Sequence, residues 1–228
     1  MIPQAARSLP CMLADQYILS SVLEEKEDSI VYEATQKDLQ REVLVESLRV
    51  DAATDEEKVG RFFETYRLQA RIRHSSLAAP LEVVEYEGTW HVARERIHGE
   101  PLDAMVNAGR TLSAEMVCGL LQQLCYMHLY FDMERIATVP FSPEHTYLMD
   151  FGGYRFDHMA VAGVRRPGET QRQLAAVAAV VEPLLDRNSM FTPPLLQMMD
   201  QIRNTRAWSP ISPAVLDEER IRLQMEMI

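Results

Sequence analysis

The sequence predicts an α+β fold in which a β-rich N-terminal part precedes a mainly helical C-terminal part. Short runs of β-branched and apolar residues between polar breaks dominate residues 1–97, and helical apolar spacing dominates residues 98–228. With 228 residues, of which 47% are hydrophobic and 25% charged, the chain can bury a sizeable core. We therefore expect two lobes, residues 1–97 and 98–228, that together form one domain.

The N-terminal part is expected to contain five antiparallel strands and one helix. The strands are predicted at residues 17–23, 30–36, 42–49, 81–86 and 89–95. The segment Glu24-Glu25-Lys26-Glu27-Asp28, with four acidic residues, is predicted to form the first hairpin, and Glu87-Gly88 the last. Apolar residues recur at helical spacing from residue 55 to residue 74, with acidic residues in the first turn, which predicts an amphipathic helix.

The C-terminal part is expected to be mainly helical. Helices are predicted at residues 101–107, 113–130 with Ser113 as N-cap, 170–185 and 193–204, and two short strands lie within residues 141–156. The segment 170–185 is apolar on most sides, so we expect a central buried helix that Pro183 interrupts.

Composition excludes several classes of function. The net charge of −11 and the lack of a long basic run argue against nucleic acid as a partner. The longest uncharged apolar run is far too short to cross a membrane, and no secretory segment is present, so we expect a cytoplasmic protein without a membrane span. Cys118 and Cys125 are expected to be buried thiols, and the scattered histidines do not predict a metal site.

Four segments carry a resemblance to a known family. They are Val31-Tyr32-Glu33-Ala34, the run RFFETYRLQARIRH at residues 61–74, His98-Gly99-Glu100-Pro101-Leu102 and Ser142-Pro143-Glu144-His145. With these segments the chain resembles a bacterial Ser/Thr protein kinase domain. The resemblance implies a two-lobed fold with a five-stranded antiparallel N-lobe and a mainly helical C-lobe, which is reduced here.

The residues that handle phosphate in such kinases are replaced in the N-terminal part. The three glycines of the phosphate-covering loop fall on Glu24, Lys26 and Ser29. The phosphate-binding Lys of the third strand falls on Glu46, so a cation has become an anion. The helix glutamate that pairs with this Lys falls on Thr65.

The catalytic positions of the C-terminal part are replaced as well. Matching Ser142–His145 to the catalytic loop puts the catalytic Asp at Pro140 and the metal-binding Asn at His145. The metal-binding Asp then falls on His158, and the aspartate that anchors this region falls on Arg172. His145, Asp157 and His158 could meet near this position, but the favoured interpretation is that the histidines are ordinary core or surface residues. None of these replacements can act as the lost group in phosphoryl transfer.

A second alignment remains open because Asp150-Phe151-Gly152 spells a kinase metal-binding motif. In the favoured alignment this triplet is a turn between two strands. In the other, Asp150 is the metal ligand and Asp132 the catalytic residue, at the cost of the match at Ser142–His145.

Arg94 falls at the position behind the adenine, which is normally apolar. We expect Glu46 and Arg94 to form a salt bridge in the vacated nucleotide pocket, beside Leu44. The alternative is that both charged side chains reach solvent at the edge of the cleft.

These replacements predict a catalytically inactive kinase-like domain, a pseudokinase. We expect it to act as a protein-binding or regulatory module in signalling, with an active kinase or another signalling protein as partner and without a cofactor. The alternative is a divergent kinase or nucleotidyl transferase that binds ATP and Mg²⁺ through Asp132 and Asp150. A third interpretation is an unrelated α+β domain. The tail at residues 216–228 could dock on its own domain or on another protein.

Overall fold

The computed structural model describes residues 8–150, 152–157, 160–164, 168–186, 195–197 and 199–200. These residues divide into two compact units. The first unit runs to Arg73 and includes Ala78–Ile97, and the second includes His74–Leu77 and the described residues from His98 onward. The described part of the chain contains no helix that is long and apolar enough to cross a membrane.

The first unit is built on an antiparallel sheet whose described strands follow the order β1-β2-β3-β4-β6-β5. The strands are β1 Cys11–Leu13, β2 Tyr17–Glu25, β3 Ser29–Gln36, β4 Arg41–Leu48, β5 Pro80–Tyr86 and β6 Thr89–Glu95. The sheet has one strand more than predicted. Ala14 and Asp15 adopt φ of 50° and 57°, and the resulting turn pairs Cys11–Leu13 with the start of β2.

The central strand β4 is buried on both faces from Val43 to Leu48. One face of the sheet carries the hydrophobic core of this unit, formed by Leu13, Tyr17, Leu19, Tyr32, Ala34, Val43, Val45 and Ala93. Because side chains alternate along a strand, Glu46 lies on the opposite face, with Leu44. Two helices follow β4: α1 Val50–Ala53, which was not predicted, and α2 Glu56–Arg71, which was. Asp55 caps α2 by accepting hydrogen bonds from the amides of Glu57 and Lys58.

The second unit is mainly helical in its described part. Its helices are α3 Leu102–Asn107, α4 Ala114–Met133 and α5 Glu169–Val181, with 3₁₀ turns at Pro143–His145 and Glu182–Leu184. Its strands are β7 Glu100–Pro101, β8 Ile136–Thr138, β9 Thr146–Leu148, β10 Tyr154–Phe156 and β11 Ala160–Val164. They pair in the orders β10-β9-β7 and β11-β8. Ser113 caps α4 through the Met116 amide, as predicted.

The predicted buried helix at residues 170–185 corresponds to α5 and the 3₁₀ turn at Glu182–Leu184, and α5 is buried along one face in its described part. Along α5, Leu174, Val177, Ala178 and Val181 are buried but Ala179 is exposed, so the helix buries a stripe rather than its whole surface. An alanine side chain has little apolar area, so it can stay exposed at small cost. An alanine-rich segment can therefore be less buried than its hydrophobic composition predicts. Cys118 and Cys125 are buried on α4, as predicted, and burial raises the pKa of Cys125 to about 11.

Candidate functional site

The most informative cluster lies around Glu46, the residue that the sequence alignment matches to the phosphate-binding Lys. Glu46 is 5% exposed, and its carboxylate accepts three hydrogen bonds from described residues. Ser29 Oγ donates to Oε1 at 2.6 Å, and Lys26 Nζ donates to Oε2 at 3.1 Å. The hydroxyl of Tyr66, on α2, donates to Oε2 at 2.6 Å. The anion therefore has one cation and two hydroxyl donors, which satisfies a buried carboxylate.

The network keeps Glu46 ionised. Burial alone would raise the pKa of this carboxyl, but the Lys26 charge, the hydrogen bonds from Ser29 and Tyr66, and the Arg94 charge together lower it to about 2. Near neutral pH a negative charge therefore occupies the position at which a kinase presents a positive one to the phosphates.

The expected salt bridge between Glu46 and Arg94 stays a prediction. Leu44 pairs with Arg94 and Glu46 pairs with Val92, so these four residues lie on one face of the sheet. Arg94 is buried and acts on Glu46 through its charge, but the ion pair formed by the Glu46 carboxylate within this unit is with Lys26. The interpretation in which both side chains reach solvent is wrong, since Glu46 and Arg94 are 5% and 4% exposed.

The loop that would cover the phosphates is a tight hairpin. The Lys26 amide donates to the Ser29 carbonyl at 2.9 Å, which closes the chain between β2 and β3. Lys26 also contacts the partly exposed Glu24 at 3.8 Å. Lys26 and Ser29, two of the three residues that the alignment matches to the loop glycines, thus donate hydrogen bonds to Glu46. Strand alternation offered a signal for this cluster, because Glu46 pairs with Val31 and Ser29 lies two residues from Val31 on the same face.

Tyr66 on α2 binds Glu46 on β4, the strand that corresponds to the third kinase strand in the alignment. Thr65 was predicted at the position of the helix glutamate, and it is half-buried. The side chain that reaches Glu46 belongs to the next residue, which packs edge-on against Phe62 with ring centroids 5.1 Å apart. Tyr66 was not predicted, because the kinase motif has a charged residue of the helix at this contact. An ionised glutamate at position 46 needs a hydrogen-bond donor, which the Tyr66 hydroxyl provides.

In the second unit, α5 holds the segment at which the catalytic Asp was expected. Glu169, which is buried, accepts from the Thr138 amide at 2.8 Å and from its hydroxyl at 2.6 Å. Gln173 accepts from the Phe141 amide at 2.8 Å and donates to the Val139 carbonyl at 2.9 Å. Pro140, between these anchored residues, is exposed and has no proton-accepting side chain.

The anchor of this segment is therefore Glu169 and not the residue at position 172 that the alignment indicated. Arg172 lies one turn later on α5 and is exposed. The contact of Glu169 was not predicted because the sequence favours a helix start at residue 170. In the structure the helix begins at Glu169, after Gly168 with φ of 71°.

The hairpin of β9 and β10 brings His145 and Asp157 together. Thr146 pairs with Phe156, and the Asp157 amide donates to the His145 carbonyl at 2.8 Å. A kinase holds its metals with an Asn and an Asp that share one site, and Asp157 lies next to His145, the residue that the alignment matches to this Asn. Asp157 is 5% exposed. His158 lies outside the described residues.

The second alignment is not supported by the placement of its two aspartates. Asp150 is exposed in the turn of this hairpin, where the Gly152 amide donates to Met149 and the Met149 amide donates to Gly153. The prediction of a turn between two strands is thus confirmed for the described residues of the motif, while Phe151 lies outside them. Asp132 lies in the last turn of α4, nine residues or roughly 13 Å of helix beyond the Gln123 that binds β10.

A kinase-like site would hold ATP with Mg²⁺, and the residues present do not fit this pair. In the favoured alignment, Glu46 is an anion at the position where the phosphates require a cation, and Pro140 and His145 stand at positions that carry oxygen-bearing side chains in kinases. Among the residues that the structure describes, no group of three or more His, Cys, Asp and Glu side chains could hold a metal ion.

Taken by their architecture, the two units form a mixed α+β protein with an antiparallel sheet in one unit and a mainly helical second unit. No protein-family profile matches the chain. It is 27% identical over 187 residues, 77% of its length, to a probable serine/threonine-protein kinase of Streptomyces coelicolor. It is 30% identical over 118 residues, 50% of its length, to the probable serine/threonine-protein kinase PknB of Corynebacterium glutamicum.

These similarities, together with the fold, make the chain protein kinase-like. The matches cover 27% and 18% of the lengths of the two relatives, so the chain corresponds to a part of each.

Proposed function

We propose that this chain is a catalytically inactive protein kinase-like domain that acts as a protein-binding or regulatory module in signalling. The observation that carries the proposal is the buried Glu46 at the phosphate-binding Lys position. Phosphoryl transfer depends almost wholly on cations and metal ions placed around the phosphates. An ionised carboxylate at this position repels phosphate instead of binding it.

The Glu46 cluster also explains how a chain without nucleotide stays folded in this region. Ser29, Lys26 and Tyr66 connect the β2–β3 hairpin and α2 to β4 through one carboxylate. Glu169 and Gln173 hold the second unit's former catalytic segment in a similar way. Both sets of contacts are internal, so they support a framework role that needs no ligand.

The alternative of a divergent ATP-dependent enzyme loses support because Asp150 is in an exposed turn and Asp132 is at the far end of α4. If a metal site exists, Asp157 is the better candidate, since it lies opposite His145. This provides a matched pair of variants. Asp157→Asn would remove metal-dependent nucleotide binding, and Asp150→Asn would leave it intact.

The test is thermal unfolding with and without millimolar ATP, with Mg²⁺ and with a chelator, because a ligand that prefers the folded state must raise the melting temperature. We expect no shift in any condition. A Mg²⁺-dependent shift that Asp157→Asn abolishes would overturn the proposed inactivity. A shift without metal would indicate nucleotide sensing and would equally contradict an occluded site.

The protein-binding half of the proposal is tested separately. Purified chain immobilised at residue 228 would be incubated with the kinase catalytic domains of its own organism, and binding would be measured by interferometry. The proposal expects saturable binding to at least one of them that is insensitive to ATP. Binding that ATP abolishes would contradict it.

A further inference from the structure

The second unit contains a cavity of about 870 Å³ that the Glu46 and Glu169 clusters do not use. Its walls are the N-terminal two-thirds of α4, the turn between β9 and β10, and the residues Glu100 and Arg110. This volume lies within the range of about 300–1,000 Å³ that is typical of ligand pockets. Asp150, which has no place in the favoured kinase alignment, lines it.

The cavity wall is held in place by Gln123. Its amide nitrogen donates to Ser76 Oγ and to the Tyr154 carbonyl, and its amide oxygen accepts from the Tyr154 amide at 2.9 Å. The Tyr154 hydroxyl donates to the Met116 carbonyl on α4 at 3.1 Å. The hairpin and the helix are thus fixed to each other on both sides of one strand, so the cavity is preformed.

Glycines create the space. A Cβ atom added to Gly119 on α4, or to Gly152 in the hairpin turn, would have no heavy atom within 4 Å. Gly152 has φ of 76°, which the turn requires and which favours glycine. Gly119 has no such requirement in the middle of a helix, where glycine costs about 1 kcal/mol relative to alanine. Its presence leaves the cavity open at this point.

The lining residues that the structure describes carry more negative than positive charge. Glu100, Glu115 and Asp150 contribute carboxylates, and Arg110 contributes the one cation among these described residues. Arg110 already donates to both carboxylate oxygens of Glu100, so its charge is offset within the wall. The cavity therefore presents a negative potential, which selects a cationic ligand.

The described lining also includes the amide side chains of Gln122 and Gln123 and several apolar or aromatic residues. Met116, Met149 and Leu148 offer polarisable and aliphatic contacts, and Tyr126 is 48% exposed. An arginine or lysine side chain has the matching composition, with a charged head for the carboxylates and aromatic ring and an aliphatic stem for the methionines.

We propose that this cavity is a docking site for a basic segment of a partner protein, in which an arginine or lysine beside an apolar residue enters between α4 and the β9–β10 turn. The inference rests on the proposed protein-binding role and specifies the partner's chemistry. Its argument is charge complementarity together with the volume and the amphipathic lining, all within the second unit.

The test measures fluorescence anisotropy with a labelled eight-residue peptide that contains two arginines and two leucines. A matched peptide carries citrulline, which has nearly the same shape without the charge. We expect the arginine peptide to bind at low salt and to weaken as salt rises. The citrulline peptide should bind at least tenfold more weakly.

Variants locate the site. Gly119→Leu projects a branched side chain into the cavity at the point where glycine leaves it open, while improving helix propensity, so it should weaken binding at least tenfold in a folded protein. Asp150→Asn should weaken binding about three- to tenfold, as expected for a partly exposed charge pair. Glu134→Gln, on an exposed residue that follows α4, should bind as the unmodified chain does.

Three results would overturn the inference: no binding of the arginine peptide, equal binding of both peptides, or unchanged binding by Gly119→Leu. Arginine amide competing as strongly as the peptide would also overturn it, because the site would then take a small cation. The ATP measurements are run on the same preparation. Failure of peptide binding without an ATP shift leaves the inactive domain intact, whereas an ATP shift with peptide binding removes the inactivity and keeps the docking site.

Discussion

The stabilising role of Glu46 can be tested by the nearly isosteric change Glu46→Gln. The variant keeps the size of the side chain but removes the charge that faces Lys26. The pKa of Glu46 is lowered from 4.5 to about 2, and each pKa unit corresponds to ~1.4 kcal/mol between protonation states. Because an amide resembles the protonated acid, we expect a loss of about 3 kcal/mol in the free energy of unfolding near pH 7.

The pH dependence of this loss follows from the direction of the shift. A carboxyl whose pKa is lower in the folded state stabilises fully above its unfolded pKa of 4.5, and the stabilisation disappears as the pH falls toward 2. The difference between the two proteins should therefore fall to roughly 1.4 kcal/mol at pH 3. Urea unfolding at both pH values, followed by circular dichroism, measures it.

Glu24→Gln serves as the matched control. Glu24 also contacts Lys26, but at 3.8 Å and with a side chain that is 41% exposed, so its removal should cost at most about 0.5 kcal/mol. The reasoning fails if Glu46→Gln costs no more than this control near pH 7. It fails equally if the loss is the same at both pH values, because the charge would then not be its cause.

Three further predictions concern single contacts, and urea unfolding measures each of them. Tyr66→Phe should cost about 1.5–3 kcal/mol, since it removes a hydrogen bond to an ionised group, and should raise the pKa of Glu46; an unchanged pKa would contradict this role. Glu169→Gln should cost about 1–3 kcal/mol and speed hydrogen exchange of the Thr138 amide, which would stay protected if Glu169 were not its anchor. Gly99→Ala should lower the free energy of unfolding by more than about 1 kcal/mol, because the added Cβ would lie 2.8 Å from the Leu148 carbonyl oxygen. Gly119→Ala, in open space on α4, should instead raise it by about 0.5–1 kcal/mol. Equal effects of the two variants would refute the close approach at Gly99.

Local patterns predicted most of the sheet in the first unit. The predicted strand at residues 89–95 has the same ends as β6, because Glu87 and Gly88 both adopt positive φ and fix the turn. Strand β1 was missed because Cys11–Leu13 is too short for alternation to be visible. Its pairing depends on a turn at Ala14 and Asp15, in which Asp15 is a common turn residue but Ala14, at φ of 50°, is not.

The candidate site was predictable in position but not in its contacts. Comparison with kinase motifs identified Glu46, Lys26 and Ser29 as replacements at three separate positions. It did not predict the hydrogen bonds from Lys26 and Ser29 to Glu46. The contact between the Asp157 amide and the His145 carbonyl belongs to the hairpin whose turn closes between Met149 and Gly153. Loop geometry of this kind leaves no trace in the hydrophobic pattern.

The pairing of Lys26 with Glu46 couples two positions of the sheet. A lysine placed at position 46 by itself would bring two ammonium groups to the 3.1 Å contact that now joins opposite charges. A glycine placed at position 26 by itself would leave a buried carboxylate without this cation. Either single substitution is penalised, so a reversal of the charge at position 46 requires a coordinated change at position 26.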